Sequence, residues 1–194
     1  MSDSARVPRA VLDTDVIFSR VLHDLFGRLA RRLRLFDLLW SDELLAEAKK
    51  SLIERKQLAD DAAQRWVDYL PQGFPAGHTQ IDKALATLEL SELTTDPDDY
   101  HVCALAVSGQ ADYLITHDQG YLPAGLQQHG VEVLAPDTFL CPVFDEQPQA
   151  MLDILELQAH DWGGGRPIGD LLDAIERAQA PAFAARVRQA LSES

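Results

Sequence analysis

The sequence predicts an α/β fold in which parallel strands alternate with helices. Three observations carry this expectation. Short apolar runs closed by polar residues, Ala10-Val11-Leu12 before Asp13 and Tyr113-Leu114-Ile115 before Thr116, read as buried strands. Helix caps and helical periodicity fill the stretches between them. An acidic residue stands at or near the end of both runs, and in parallel sheets ligands sit at the strand ends that face the crevice.

Taken in chain order, Val7 to Asp13 forms the first strand. Val16 to about Leu39 reads as helix, broken or turned near Gly27, with Phe36 to Trp40 a short second strand. Ser41 is an N-cap for a helix from Asp42 to about Lys56, whose first turn carries Asp42 and Glu43 where the helix dipole favours them. Further helix spans Ala59 to Tyr69. Pro71 to His78 is a loop, and helix resumes from about Ile81 to Leu90. Asp96-Pro97-Asp98-Asp99 has the chemistry of a helix start, and that helix ends at Gly109. Ala111 to Thr116 is the next strand, Gly120 to His129 a turn and short helix, and Val131 to Ala135 the last strand. After Pro142 three helices follow, at Gln147 to His160, Ile168 to Gln179 and Pro181 to Leu191. The boundaries expected are therefore a catalytic unit over residues 7–142 and a helical extension over 143–194. The intervening Gly163-Gly164-Gly165 precedes no phosphate-loop lysine and follows no strand, so it is not a nucleotide signature.

With 194 residues, 46% of them hydrophobic, the chain buries a substantial core. No run approaches the roughly 18 apolar residues of a membrane span, and the first nine residues lack the centre of a signal peptide. A soluble, cytoplasmic protein that makes no membrane contact is expected. Cys103 and Cys141 are too few for a disulfide framework. The net charge of −14 opposes nucleic-acid binding on its face. Its distribution does not, because residues 1–66 hold 12 of the 17 Lys and Arg against 11 acids. Arg28, Arg31, Arg32 and Arg34 form the densest basic run, which suits either a solvated helix face or phosphate contacts.

The acids carry the chemistry. Asp13 and Asp118 lie just beyond strands, and Glu47 sits in mid-helix beside Leu44, Ala48 and Ser51. Asp99 shares a helical face with Val102, Cys103 and Ala106, so its carboxylate is partly desolvated and wants a cation. Each has a plain structural alternative: a turn or cap for Asp13 and Asp118, a solvent border for Glu47, a capping box for Asp99. Asp98, one turn from His101, points outward. Helix starts and strand ends share one edge of a parallel sheet, which draws Asp13, Asp99 and Asp118 towards one crevice, with Glu47 entering from its helix. Converging carboxylates are tolerable only with a proton or a divalent metal. The histidines show no zinc spacing, so oxygen ligation points to Mg²⁺ or Mn²⁺.

Four blocks resemble the PIN domain, the nuclease domain of VapC-type toxins: Val-Leu-Asp-Thr-Asp at 11–15, Ser-Asp-Glu-Leu-Leu-Ala-Glu at 41–47, Asp-Pro-Asp-Asp-Tyr-His-Val-Cys-Ala-Leu-Ala at 96–106 and Ala-Asp-Tyr-Leu-Ile-Thr-His-Asp at 111–118. The resemblance covers roughly Arg9 to Leu140. It implies a three-layer α/β/α sandwich around a short parallel sheet, and Asp13, Glu47, Asp99 and Asp118 as the metal-holding quartet, with Thr116 a polar helper. It also implies a ribonuclease leaving 5′-phosphate and 3′-hydroxyl ends, a small antitoxin partner and commonly a homodimer. One departure is Asp15, a potential fifth carboxylate where relatives usually carry Asn or Ser.

The implied chemistry is metal-assisted hydrolysis of an RNA phosphodiester, with Arg28, Arg31, Arg32 and Arg34 as candidate backbone contacts. Two rivals are a haloacid-dehalogenase-like phosphatase, suggested by Asp13-Thr14-Asp15, and a PIN-like scaffold that binds RNA or protein without cutting. The phosphatase lacks a counterpart for its later lysine and acidic loop, since Asp98-Asp99 begins a helix.

Overall fold

The computed structural model describes residues 6–81 and 89–193. Its centre is a four-stranded, all-parallel sheet of β1 (Arg9–Leu12), β2 (Asp37–Leu39), β3 (Tyr113–Ile115) and β4 (Glu132–Leu134), in the order β2-β1-β3-β4. Ala10 pairs with Leu38 on one side and Tyr113 on the other. Consecutive strand residues such as Ala10, Val11 and Leu12 are all buried, which requires helices on both faces of the sheet. The order reverses between β1 and β3, so the crevice beyond Leu12 and Ile115 is the topological switch point.

The helices follow the expected chain order with local shifts. In place of one helix turned near Gly27, α1 (Thr14–Phe18) and α2 (Arg20–Arg32) break at Ser19. Ser19 closes α1 and caps α2, its hydroxyl accepting from the Leu22 amide. Gly27 instead lies inside α2 against the Tyr69 ring, where a side chain would collide. The α3 helix (Asp42–Lys56) matches the expectation residue for residue, and the Ser41 hydroxyl accepts from the Leu44 amide at 3.3 Å. Next come α4 (Asp60–Val67) and α5 (Tyr69–Gly73), so the expected loop at Pro71 begins as helix. The helix expected over Ile81 to Leu90 lies almost wholly outside the described residues.

A 3-10 turn at Pro97–Asp99 leads into α6 (Tyr100–Ser108), and α7 is Pro123–Gln128. α8 (Pro136–Glu146), a helix that the sequence reading did not include, runs through Pro142. Burial of Phe139, Leu140 and Phe144 outweighs the backbone hydrogen bond that the proline cannot make. Then follow α9 (Pro148–Asp161), α10 (Ile168–Arg177) and α11 (Pro181–Ser192), the three helices expected after Pro142.

The core is continuous. Phe26 of α2, Phe36, Tyr113 of β3 and Phe139 of α8 form an aromatic cluster with ring centroids 5.3–6.2 Å apart. α9 docks on α2, where the Gln158 amide donates to the Val21 carbonyl at 2.9 Å. Among the described residues no helix is long and apolar enough to cross a membrane.

Candidate functional site

β1 ends at Leu12, and the next residue, Asp13, is 4% exposed. Its backbone is extended, and one carboxylate oxygen caps α1 by accepting from the Thr14 amide at 2.6 Å. The other accepts from the Thr116 hydroxyl at 2.7 Å, just beyond β3. Thr116 Oγ1 also accepts from the Asp118 amide at 2.9 Å. One threonine therefore ties the ends of β1 and β3 together. Asp118 is exposed and accepts from the Gly120 amide. Burial raises the Asp13 pKa against the lowering effect of Thr116 and the Thr14 amide.

Asp15 sits in the first turn of α1 and accepts from the His117 amide at 2.9 Å through one oxygen; the other is buried without a partner. Burial first, then the Asp13 charge, pushes its pKa up to about 7. Asp99 ends the 3-10 turn. The capping role that competed for it belongs to Asp96, which accepts from the Asp98 amide at 2.9 Å. Asp99 makes no capping bond, and its Oδ2 is buried and unpartnered. Burial, followed by the charges of Asp13, Asp118, Asp96 and Glu47, raises its pKa to about 7. Asp98 is exposed, as expected.

Glu47 enters from α3. Its Oε2 accepts from the Thr14 hydroxyl at 3.3 Å and lies 2.7 Å from His101 Nε2, an ion pair more than an aligned hydrogen bond. His101 Nδ1 lies 2.8 Å from the Asp98 carbonyl. Contact with His101 lowers the Glu47 pKa despite partial burial. Burial pulls the His101 pKa down, yet Glu47 overrides it and the net shift is upward. With both ring nitrogens facing acceptors, His101 sits among contacts that favour its protonated form.

Sequence reasoning placed the carboxylates but missed His101 and Tyr121. His101 precedes the buried Val102, with the buried Ala104 and Leu105 three and four residues on, so its half-buried face was visible in the helical spacing. The Tyr121 hydroxyl is buried without a hydrogen-bond partner, and burial together with the Asp13 and Asp99 charges raises its pKa strongly. Nothing local signals that contact.

The five carboxylates thus share an electrostatic neighbourhood, but among the described residues no three His, Cys, Asp or Glu are grouped to hold a metal. The reason is visible in their partners. Asp13, Glu47 and Asp118 are turned onto protein donors, leaving single oxygens of Asp15 and Asp99 unsatisfied. Buried lone pairs without partners and pKa values raised to about 7 mark Asp15 and Asp99 as carboxyls that a proton or a nearby cation would relieve, and the donor set is all oxygen, the kind that hard divalent ions accept.

The arginines lie elsewhere. A helix that follows a parallel strand runs back across the sheet, so the C-terminal turn of α2 lies near the start of β2, away from the carboxylates. Arg28 is bound by Asp24 at 2.9 Å and Asp161 at 3.0 Å. Arg31 stacks over Tyr69 and Phe74. Arg32 and Arg34 are exposed.

Among protein families, the PIN domain matches residues 9–120, more than half of the chain, including every carboxylate just described. The chain belongs to the PIN domain family. PIN domains are nucleases and generally use divalent metal ions. Residues 136–189 match the VapC50 C-terminal domain, which accounts for α8 to α11. The protein is therefore a VapC-like PIN protein with a C-terminal extension, on a PIN-like α/β/α fold. No curated protein and no solved structure matches it.

Proposed function

We propose that this PIN protein is a divalent-metal-dependent endoribonuclease, the toxin of a toxin-antitoxin pair. The observation that carries the reading is the pair of orphaned carboxylate oxygens, Asp15 Oδ1 and Asp99 Oδ2, facing the charges of Asp13, Glu47 and Asp118. In this reading Asp13, Glu47, Asp99 and Asp118 hold Mg²⁺ or Mn²⁺, with Asp15 an additional anion beside them. When bound, the ion supplies Lewis acidity towards water and phosphate oxygen. The residues do the positioning. Thr116 and the Thr14 amide each fix one Asp13 oxygen, while His101 keeps Glu47 ionised and in place. Attack of water on phosphorus breaks the bond to the 3′ oxygen, leaving 5′-phosphate and 3′-hydroxyl ends.

The remaining expectations join this proposal: a catalytic unit over 7–142 with its extension over 143–194, action in the cytoplasm, a homodimer, and an antitoxin that covers the acidic pocket, for which an arginine side chain is suited. Of the proposed backbone contacts, Arg32 and Arg34 are the freest; Arg28 and Arg31 must first give up their partners within the protein.

The test is cleavage of an unstructured RNA by the purified protein with Mg²⁺, with EDTA, and as Asp99→Asn. Cleavage that requires the metal and disappears in the variant supports the reading. Undiminished cleavage by a folded Asp99→Asn protein refutes the assignment, and RNA binding without cleavage under any divalent ion selects the scaffold. Co-expression with the product of an adjacent short reading frame tests the antitoxin, which should restore growth.

A further inference from the structure

A second site lies off the carboxylate pocket. Between α2, α4 and α9 opens a cleft of about 500 Å³ walled by Trp66, Tyr69 and Trp162. His23 and Gln158 belong to its lining; they are 4% and 2% exposed, and His23 Nε2 and Gln158 Oε1 have no hydrogen-bond partner. Gln158 is held through its amide nitrogen, which donates to the Val21 carbonyl, but the two unpartnered buried atoms, His23 Nε2 and Gln158 Oε1, are costly in an aromatic cleft unless something polar meets them. Burial lowers the His23 pKa to about 4, so the ring is neutral near pH 7 and offers one donor and one acceptor.

The lining carries Arg20, Arg28 and Arg65 with Asp24 and Asp161; Arg28 is paired with both of those acids and Arg65 with Asp61, which leaves Arg20, and two further cations stack on the tryptophan walls. Arg20 lies 6.0 Å from the Trp66 centroid, Lys56 4.6 Å from it, and Arg166 4.9 Å from the Trp162 centroid. Neither Arg20 nor Arg166 has a carboxylate partner among the described residues. Arg166 is brought there by Gly163, Gly164 and Gly165, all at positive φ (62°, 90° and 84°), which fold the chain after α9 back until the Arg166 amide donates to the Ala159 carbonyl at 3.1 Å. The glycine run that carries no phosphate-loop lysine thus presents a guanidinium.

We propose that this cleft is a nucleotide-binding exosite for single-stranded RNA. A base enters between Trp66 and Trp162, the polar floor of His23 and Gln158 meets its edge, and Arg20 and Arg166 take the flanking phosphates. The chemistry of the cleft selects that ligand: aromatic walls for a π-face, a neutral donor and acceptor for a heterocycle edge, and cations for a polyanion. The location suits it as well. The Trp66 indole donates to the Ile17 carbonyl at 2.9 Å, and Ile17 is four residues along α1 from Asp13, roughly 6 Å of helix rise. A strand whose scissile phosphate lies at the carboxylates reaches the cleft within a few nucleotides. The inference rests on the RNA reading above and gives that RNA a second anchor.

The test uses the full chain, a six-nucleotide oligouridylate and EDTA, so that binding is measured without cleavage. Trp66 and Trp162 report directly, through quenching of intrinsic fluorescence. Saturable quenching is expected, with Arg20→Glu and Arg166→Glu each weakening binding roughly tenfold and each lowering the slope of log K against log salt by about one. Both arginines lie at the surface, so thermal melts should match wild type; Trp66→Phe is the second variant, expected to keep the fold and lose part of the quenching. Wild-type affinity in both arginine variants overturns the exosite, and does so even if the protein cleaves RNA. Loss of binding to a protein antitoxin with RNA affinity unchanged also overturns it. Weakened oligouridylate binding in a protein that cleaves no RNA keeps the exosite and removes the nuclease.

Discussion

The carboxylate pocket and the C-terminal helical layer are built on opposite principles. In the layer of α8 to α11, Phe144 and Phe183 meet edge to face at 6.2 Å, Asp137 caps α11 by accepting from the Ala182 and Phe183 amides, and Arg188 pairs with Asp173 and Glu176. Every one of these groups is satisfied within the chain. In the pocket, Asp13, Asp15, Asp99 and Glu47 lie together with one imidazole between them, and buried oxygens go unpartnered. One region is finished by folding; the other is left incomplete in a way that folding alone cannot complete. That difference separates stability from function in this molecule.

The largest effect belongs to the satisfied layer. Phe183→Ala should cost about 3–5 kcal/mol in urea unfolding, because the ring is fully buried and the surrounding helices cannot close the space. The stabilisation that Mg²⁺ confers should be unchanged in that variant. A Phe183 variant that also abolishes the response to Mg²⁺ would merge the two regions.

Next in size is the metal itself. Mg²⁺ at a hundred times its dissociation constant should raise stability by about 2.7 kcal/mol, and Asp99→Asn should remove that gain. Cleavage by Asp99→Asn should fall by at least about 100-fold.

Smaller still is the pH effect. Asp15 and Asp99 have folded pKa values of about 7 against an ordinary 3.8, so the folded chain binds more protons between those values. Their contribution is fully present below pH 3.8 and is lost as pH rises through about 7. Without metal, the wild type should therefore lose stability relative to Asp15→Asn as pH climbs from 4 to 7. A difference that is flat over that window would mean the carboxylate is comfortable when ionised. The smallest effect is Arg188→Ala, which removes exposed ion pairs and should cost under about 1 kcal/mol.

The same division explains what the sequence disclosed. Ser41 capping α3, Pro97 opening a helix and Gly109 closing it are local chemistry, and they appear where local reasoning put them. The strand-end acids followed from the parallel sheet, and the resemblance to the PIN family holds over residues 9–120. The misses were long-range. Nothing near Gly27 announces that Tyr69 will lie on it, so the helix break was assigned to glycine when Ser19 supplies it. The helix through Pro142 went unread because a proline disfavours helix locally, and the burial of Phe139 and Phe144 that sustains it is tertiary. The pairing of His101 with Glu47 joins residues 54 positions apart, and the remoteness of Arg28 to Arg34 from the carboxylates depends on which way α2 crosses the sheet. His101 matters most, since its contacts with Glu47 and the Asp98 carbonyl favour a positive charge inside the pocket.

Asp15 and Asp99 resist ionisation up to about pH 7, and a divalent cation bound beside them should let them ionise well below it. Carboxyl-carbon NMR of Asp15 and Asp99, titrated with and without Mg²⁺, tests it most directly. Midpoints near 7 in the metal-free protein, moving down by more than a pH unit with Mg²⁺, are the predicted result. Midpoints near 4 in the metal-free protein, unmoved by Mg²⁺, would contradict it.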